Sequence, residues 1–196
     1  MSLKALPLPD AELAFETQWL PPAAADALFA ALRETITWEI HRIRLFGREH
    51  ASPRLSCWIG DPDASYRYSG MRFEPRPWPA ALASIRRRLR DELGIDFNSA
   101  LANRYRDGRD AMGWHSDSEP ELGPMPVIAS LSLGATRRFV LKHRVQPELK
   151  FALDLPHGSL LLMRGDTQRY YRHALPRTTR PVGERINLTF RRILPA

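Results

Sequence analysis

Short runs of β-type residues, separated by turn residues, dominate the chain from Ala100 onward. They occupy residues 101–105, 127–133, 138–141, 158–163 and 185–193. Short strands at such spacing are typical of antiparallel sandwiches and barrels. The pattern therefore predicts an all-β jelly-roll core in the C-terminal half of the chain.

Helical patterns are confined to the N-terminal half. Two prolines open a predicted helix over residues 22–34, and Pro79 opens a second helix that ends at Gly94. Apolar residues of the second helix recur at helical spacing, at Leu82, Ile85, Leu89 and Leu93. We expect both helices to cover one face of the β core, so the fold class is mainly β (α+β).

The remaining N-terminal segments are predicted as a hairpin and an arm. Residues 35–46 and 55–59 are rich in β-type residues and are expected to pair, with Phe46 near the tip of the hairpin. Pro7 and Pro9 predict an irregular arm over residues 1–20. The length of 196 residues favours one domain over 1–196, with its core at 100–194.

The charge is basic and nearly all of it is arginine. Lys and Arg number 29 against 22 Asp and Glu, a formal net charge of +7, and lysine occurs only as Lys4, Lys142 and Lys150. Two interpretations are open: a coding bias towards solvated arginines, or a surface that contacts phosphates through guanidinium groups.

The cysteine content and the hydropathy exclude several classes of protein. The single Cys57 excludes an intramolecular disulfide and a cysteine-based structural zinc site. The apolar run at residues 160–163 is far too short to span a bilayer, and no signal peptide is recognisable. We therefore expect a cytoplasmic protein without a membrane segment.

The segment from Trp114 to Asp117 suggests a metal site. In an extended segment His115 and Asp117 point to the same side, and His173 follows after further strands. Two histidines and one carboxylate on one side of an ion leave three positions open, as in non-haem Fe(II) oxygenases. The pattern alone is weak, because a surface histidine beside an unrelated aspartate looks the same.

The last predicted strand alternates strictly between polar and apolar residues. Its polar set is Arg185, Asn187, Thr189 and Arg191. Either this face is exposed, or it points into a barrel, where two desolvated guanidinium groups would require anions. A small dicarboxylate would supply them. Asn103 and Tyr105 share a strand face in the same way, and an Arg pair beside the metal triad suits an oxygenase that uses 2-oxoglutarate.

Several ordered motifs resemble the AlkB-type Fe(II)/2-oxoglutarate dioxygenases over residues 40–194. They are Asn103-Arg104-Tyr105 with Asp107-Gly108, Met112 to Asp117, Ile128 to Gly134, His157 to Met163 and Arg185 to Arg191. The resemblance is strongest to the branch that repairs alkylated bases.

The resemblance implies a jelly-roll (double-stranded β-helix) core and a defined set of cofactors. Iron would be held by His115, Asp117 and His173. The 2-oxoglutarate pocket would be lined by Asn103, Tyr105, Arg185, Asn187, Thr189 and Arg191. Arg185 and Arg191 would bind opposite ends of the cosubstrate. The implied chemistry is oxidative demethylation with Fe(II), 2-oxoglutarate and O2, which releases succinate, CO2 and formaldehyde.

The resemblance also implies a nucleotide-recognition hairpin and lid over residues 40–75. Phe46 would fill the gap left by a flipped base, although a contact within the hairpin explains it equally well. Tyr66, Tyr68 and Ser69 resemble the segment that packs on the base, against the alternative of ordinary strand residues. Related sequences often carry a further acid directly after the metal aspartate; here Ser118 stands there, and Glu119 is the candidate contact to the base.

The leading hypothesis is repair of 1-methyladenine and 3-methylcytosine in DNA or RNA by a monomer. An oxygenase that acts on a protein or a small molecule would keep the triad and the arginine pair but needs no basic surface. A third alternative is a non-catalytic barrel that binds nucleic acid, in which His173 would be dispensable.

Overall fold

The computed structural model describes residues 3–45, 48–68 and 71–194. In chain order the elements are β1 Lys4–Leu8, β2 Ala11–Glu16, α1 Pro22–Thr35, β3 Arg42–Leu45, β4 Arg48–Ala51, β5 Leu55–Gly60, β6 Tyr66–Tyr68, β7 Met71–Phe73, α2 Ala80–Leu93, β8 Ser99–Tyr105, β9 Met112–His115, a 3₁₀ turn Pro120–Leu122, β10 Ile128–Gly134, β11 Arg137–His143, β12 Lys150–Leu155, β13 Leu160–Arg164, α3 Thr167–Tyr170, β14 Tyr171–Leu175 and β15 Arg185–Arg191.

Two antiparallel sheets form the core. The large sheet has seven strands in the order β1-β2-β13-β10-β15-β8-β5, and the small sheet has four in the order β12-β11-β14-β9. Apolar side chains from both sheets meet in one buried cluster, among them Phe15, Ile128 and Leu161 of the large sheet and Leu141 and Leu155 of the small sheet. The predicted jelly-roll class, mainly β with a few helices, is confirmed.

The two long helices cover the other face of the large sheet, as expected. Leu32 of α1 and Leu89 of α2 are fully buried and pack in one cluster with Leu131 and Leu188 of the sheet. Each such leucine contributes about 2 kcal/mol through burial. Gly94 ends α2 in the left-handed conformation, at φ 68°. Among the described residues, no helix has the length and hydropathy needed to cross a membrane.

The prediction of an irregular N-terminal arm is wrong. Strands β1 and β2 form an antiparallel hairpin, and β2 also pairs with β13, so the hairpin extends the large sheet. Pro7 lies in β1, which is one of the two edge strands of the large sheet. A proline that lacks an N–H group is tolerated at an edge because no further strand has to bond to it.

The predicted pairing of residues 35–46 with 55–59 is also wrong. Helix α1 runs to Thr35, and β3 pairs with β4, while β5 pairs with β8 inside the large sheet. Between the segments predicted to pair there is an isolated bridge from Glu39 to Ser56. Strand β5 lies in the large sheet because its residues are buried along almost its whole length. A two-stranded hairpin cannot bury a strand on both faces.

Residues 40–75 contain two small two-stranded sheets, β3 with β4 and β6 with β7. Phe46 and Ser69 lie outside the described residues. The recognition role of this region stays a prediction.

Candidate active site

Two neighbouring strands of the small sheet, and the loop that follows one of them, supply the three residues predicted as metal ligands. His115 ends β9 and stands opposite His173 of β14, which brings their Nε2 atoms to 3.1 Å. Asp117 follows two residues after His115, and its Oδ2 lies 3.8 Å from Nε2 of His173. The ligand atoms of all three lie within 4.8 Å of one another, so they could hold one metal ion.

Burial and neighbouring charges set the protonation state of this triad. Burial, together with His115, lowers the pKa of His173 to about 3, and burial also lowers the pKa of His115. Burial by itself raises the pKa of Asp117, but Arg191 and the two histidines outweigh that effect and hold the pKa at about 2. At neutral pH the site has two neutral imidazoles and one carboxylate, the forms that bind a metal.

Hydrogen bonds from outside the triad orient its ligand atoms. Nδ1 of His115 donates to the carbonyl oxygen of Gly113 at 2.8 Å, which leaves Nε2 as the lone-pair nitrogen. Arg191 donates through Nη2 to Oδ1 of Asp117 at 2.6 Å. The backbone N–H of Asp117 donates to Oε1 of Gln168 at 2.9 Å. Arg191 therefore holds the carboxylate through Oδ1 and Gln168 holds the backbone of the same residue, with Oδ2 left towards His173.

Strand β15 turns its polar face towards the small sheet. Arg185 and Arg191 are 1% and 4% exposed, and Asn187 and Thr189 between them are 8% exposed. The apolar set of the same strand packs beneath the helices. The interpretation of an exposed polar face is therefore wrong, because the helices cover one face of this strand and the small sheet covers the other.

The guanidinium of Arg185 is buried and only partly paired. Its Nη2 donates to Oγ of Ser132 at 2.9 Å, and its Cζ lies 5.2 Å from the ring centroid of Tyr105. Neither Nε nor Nη1 has a hydrogen-bond partner among the described residues. Burial lowers the pKa of Arg185 to about 10, so the group is still a cation at neutral pH. Unpaired N–H groups on a buried cation suit a carboxylate ligand.

One pocket joins the metal triad to the polar face of β15. Its polar lining includes the triad, Asn103, Tyr105, Ser130, Arg185, Asn187, Thr189 and Arg191, and its apolar wall is formed by Met112, Phe139, Leu155, Met163 and Leu175. Arg191 reaches the triad directly through Asp117, whereas Arg185 stands at the other end of β15, opposite Tyr105. The pocket therefore has a metal-binding end and a separate cationic end.

Residues 12–191 match the family model of the 2OG-Fe(II) oxygenase superfamily. The DNA oxidative demethylase ALKBH2 of Mus musculus is 38% identical over 183 residues, which cover 88% of this chain and 77% of that protein. The chain belongs to the AlkB-type Fe(II)/2-oxoglutarate oxygenases.

Other relatives agree with this assignment. The DNA oxidative demethylase ALKBH2 of Homo sapiens is 40% identical over 182 residues, covering 88% of this chain and 70% of that protein. The alpha-ketoglutarate-dependent dioxygenase alkB homolog 3 of Rattus norvegicus is 39% identical over 183 residues, covering 87% of this chain and 60% of that protein. The solved structure of OsALKBH1 shares the fold, with a TM-score of 0.64 at 17% identity over 96% of this chain and all of that chain.

The cofactors of this family are Fe(II), 2-oxoglutarate and O2, and the residues present fit them. Two imidazole nitrogens and a carboxylate form the donor set of an oxygenase iron. The unpaired nitrogens of Arg185 are buried donors without an acceptor, which a cosubstrate carboxylate would satisfy. The AlkB-type oxygenase thus has matching groups at both ends of its pocket.

The structure gives less support to the residues predicted to contact the substrate. Tyr66 and Tyr68 lie in the short strand β6. Glu119 precedes the 3₁₀ turn and is half-buried, and its Oε2 has no hydrogen-bond partner in the described part of the chain. It is not among the described residues that line the pocket.

Sequence reasoning missed several residues that support the pocket. Ser130 accepts a hydrogen bond from Nδ2 of Asn187 at 2.8 Å, and Arg54 donates through Nε to Oδ1 of Asn103 at 2.7 Å. The alternation of Ser130, Leu131 and Ser132 could have revealed the two serines as inward-facing. Nothing local marks Arg54 or Gln168, because their partners lie 49 and 51 positions away in the chain.

Proposed function

We propose that this AlkB-type oxygenase oxidatively removes methyl groups from ring nitrogens of nucleic-acid bases, such as 1-methyladenine and 3-methylcytosine, in DNA or RNA. The products would be the repaired base, formaldehyde, succinate and CO2. The observation that carries the proposal is the single pocket that joins a His-Asp-His triad to a buried, partly unpaired arginine. Relatives named DNA oxidative demethylases, at 38% and 40% identity, indicate the substrate class.

His115, Asp117 and His173 are proposed as the iron ligands. Nε2 of each imidazole and Oδ2 of the carboxylate converge, while Arg191 occupies Oδ1 and keeps the carboxylate from rotating. Three protein donors leave positions for the cosubstrate and O2. When bound, the iron with 2-oxoglutarate and O2 supplies the oxidising chemistry.

Arg185 is proposed to bind the distal carboxylate of 2-oxoglutarate. Its unpaired nitrogens support this role, and so does its place at the opposite end of β15 from Arg191, which contacts Asp117. Arg191 would sit at the metal end, where it already contacts Asp117. Asn103, Tyr105, Asn187 and Thr189 would line the pocket between the ends, and the apolar wall would keep water away from the reacting groups.

The contacts to the base remain a proposal that rests on resemblance. Phe46 would act as the wedge, Tyr68 would stack on one side of the flipped base with His115 near the other, and Tyr66 and Ser69 would support it. Glu119 would meet the exocyclic group of the base. We also propose that the protein acts as a monomer in the cytoplasm.

The test is a screen of oligonucleotides that carry 1-methyladenine or 3-methylcytosine, as single strands and as duplexes. We expect formaldehyde release that depends on both Fe(II) and 2-oxoglutarate. His115→Ala should abolish it, whereas His157→Asn, at a histidine outside the pocket, should keep it. Turnover of 2-oxoglutarate without release from any methylated DNA or RNA would favour the alternative, an oxygenase of proteins or small molecules.

A further inference from the structure

The outer face of the small sheet carries three cations in a row. Because side chains alternate along a strand, the residues next to the inward-facing His173 point away from the pocket. Lys142 of β11 stands opposite Lys150 of β12 on one side and opposite Arg172 of β14 on the other. These three residues, the cationic row, span about 10 Å across neighbouring strands.

Within the described part of the chain, no acidic residue stands opposite Lys142 to neutralise this row. Like charges directly opposite each other destabilise a sheet. Four residues earlier in β11, on the same face, Arg138 stands opposite Asp154, which is an ordinary pair of opposite charges. The groove beside the cationic row is lined by Trp114, Lys142, His143, Arg144 and Arg172, and none of these described residues is acidic.

An exposed aromatic ring completes the groove. Trp114 is 51% exposed and lies in β9, an edge strand of the small sheet. Its neighbour His115 lines the pocket, so Trp114 faces the opposite side, where it lines the groove with Arg144 and Arg172. A large exposed ring beside cations is the combination that proteins use to stack an unpaired base and hold its phosphates.

The groove is connected to the metal-binding loop. Arg144 donates through Nη2 to Oγ of Ser116 at 2.8 Å, and Ser116 donates to the carbonyl oxygen of Tyr171 at 2.7 Å. Ser116 lies between the two proposed ligands His115 and Asp117. A strand held by Arg144 would therefore pass close to the residues that position the iron.

We propose that the outer face of the small sheet binds an unpaired stretch of the substrate strand beside the target base. Phosphates lie on the cationic row and on Arg144, and one base stacks on Trp114. A duplex fits this face poorly, because neighbouring bases already cover both faces of each base. This inference rests on the proposed function, since it names the form of nucleic acid that the same enzyme takes.

The experiment measures binding without turnover. The full chain with Fe(II) and 2-oxoglutarate is titrated anaerobically into a labelled, unmethylated oligo-dT strand and into a duplex of equal length, at several salt concentrations. Trp114→Ala should weaken binding of the single strand about tenfold and leave duplex binding within about twofold, while Trp114→Phe stays close to wild type. Lys142→Gln and Arg172→Gln should each lower the salt slope by about 0.7.

The matched control is Arg33→Gln, an exposed arginine on α1 at the opposite side of the large sheet, which should leave the salt slope unchanged. The proposal is overturned if Trp114→Ala binds the single strand as wild type does, or if Arg33→Gln lowers the slope as much as Lys142→Gln, which indicates diffuse attraction to any polyanion. If Trp114→Ala demethylates its substrate and binds the single strand with wild-type affinity, the proposed function stands and the proposal for this surface is wrong. If Trp114→Ala weakens binding of the single strand but the wild type demethylates no oligonucleotide, the binding surface stands and the proposed function is wrong.

Discussion

Replacing Arg185 by methionine should stabilise the ligand-free protein while removing its response to 2-oxoglutarate. The guanidinium is 1% exposed, and burial lowers its pKa from 12.5 to about 10. Such a shift means that the fold disfavours the charged form by about 3 kcal/mol. Methionine removes this cost together with the hydrogen bond to Ser132, which contributes about 1 kcal/mol. The expected gain in the free energy of unfolding is about 2 kcal/mol.

The same substitution should weaken binding of 2-oxoglutarate by about 100-fold or more, because hydrogen bonds to charged groups contribute about 1.5–3 kcal/mol each and two are lost. Urea unfolding without ligand measures the first effect. The rise of the melting temperature with added 2-oxoglutarate measures the second, and it should be present in wild type and absent in Arg185→Met. Arg185→Lys keeps the charge without the planar fork, so it should recover only a small part of the response.

The reasoning fails if Arg185→Met is less stable than wild type in the absence of ligand and still melts at a higher temperature with 2-oxoglutarate. That result would mean that the protein itself satisfies the guanidinium and that the cosubstrate binds elsewhere.

Three further predictions follow from the site and the core. The pKa of His173 is depressed from 6.5 to about 3, so the stability that the neutral imidazole contributes is complete above pH 6.5 and is lost as the pH falls towards 3. Urea unfolding of the metal-free protein at each pH measures this loss, and His173→Gln should flatten the profile in this range. Gln168→Leu removes the acceptor for the N–H of Asp117 and should lower Fe(II) affinity by about tenfold or more in a metal titration, whereas Gln146→Leu, at an exposed glutamine, should not. Leu188→Ala, at a fully buried position, should cost about 2–5 kcal/mol of unfolding free energy, and a loss below 1 kcal/mol would show that the layer between helices and sheet is loosely packed.

The elements that the sequence predicted well are those whose pattern is local. Helices α1 and α2 follow from proline starts and apolar spacing, and the short strands of the C-terminal half follow from alternation and turn residues. The N-terminal hairpin was missed because Pro7 and Pro9 argue against a strand unless the strand lies at an edge. Whether a strand lies at an edge depends on the strand order of the whole sheet, and a short stretch of sequence does not show that order.

The sequence alone determined which chemical groups are present and the order in which they come: two histidines and an aspartate, an alternating strand with an arginine at each end, and enough motif to indicate the family. The tertiary structure decided which side of β15 faces the interior, where each arginine stands relative to the triad, and which distant residues, such as Arg54 and Gln168, hold the site. The physical reason is that alternation fixes which side chains share a face, whereas burial of that face depends on what the rest of the chain packs against it.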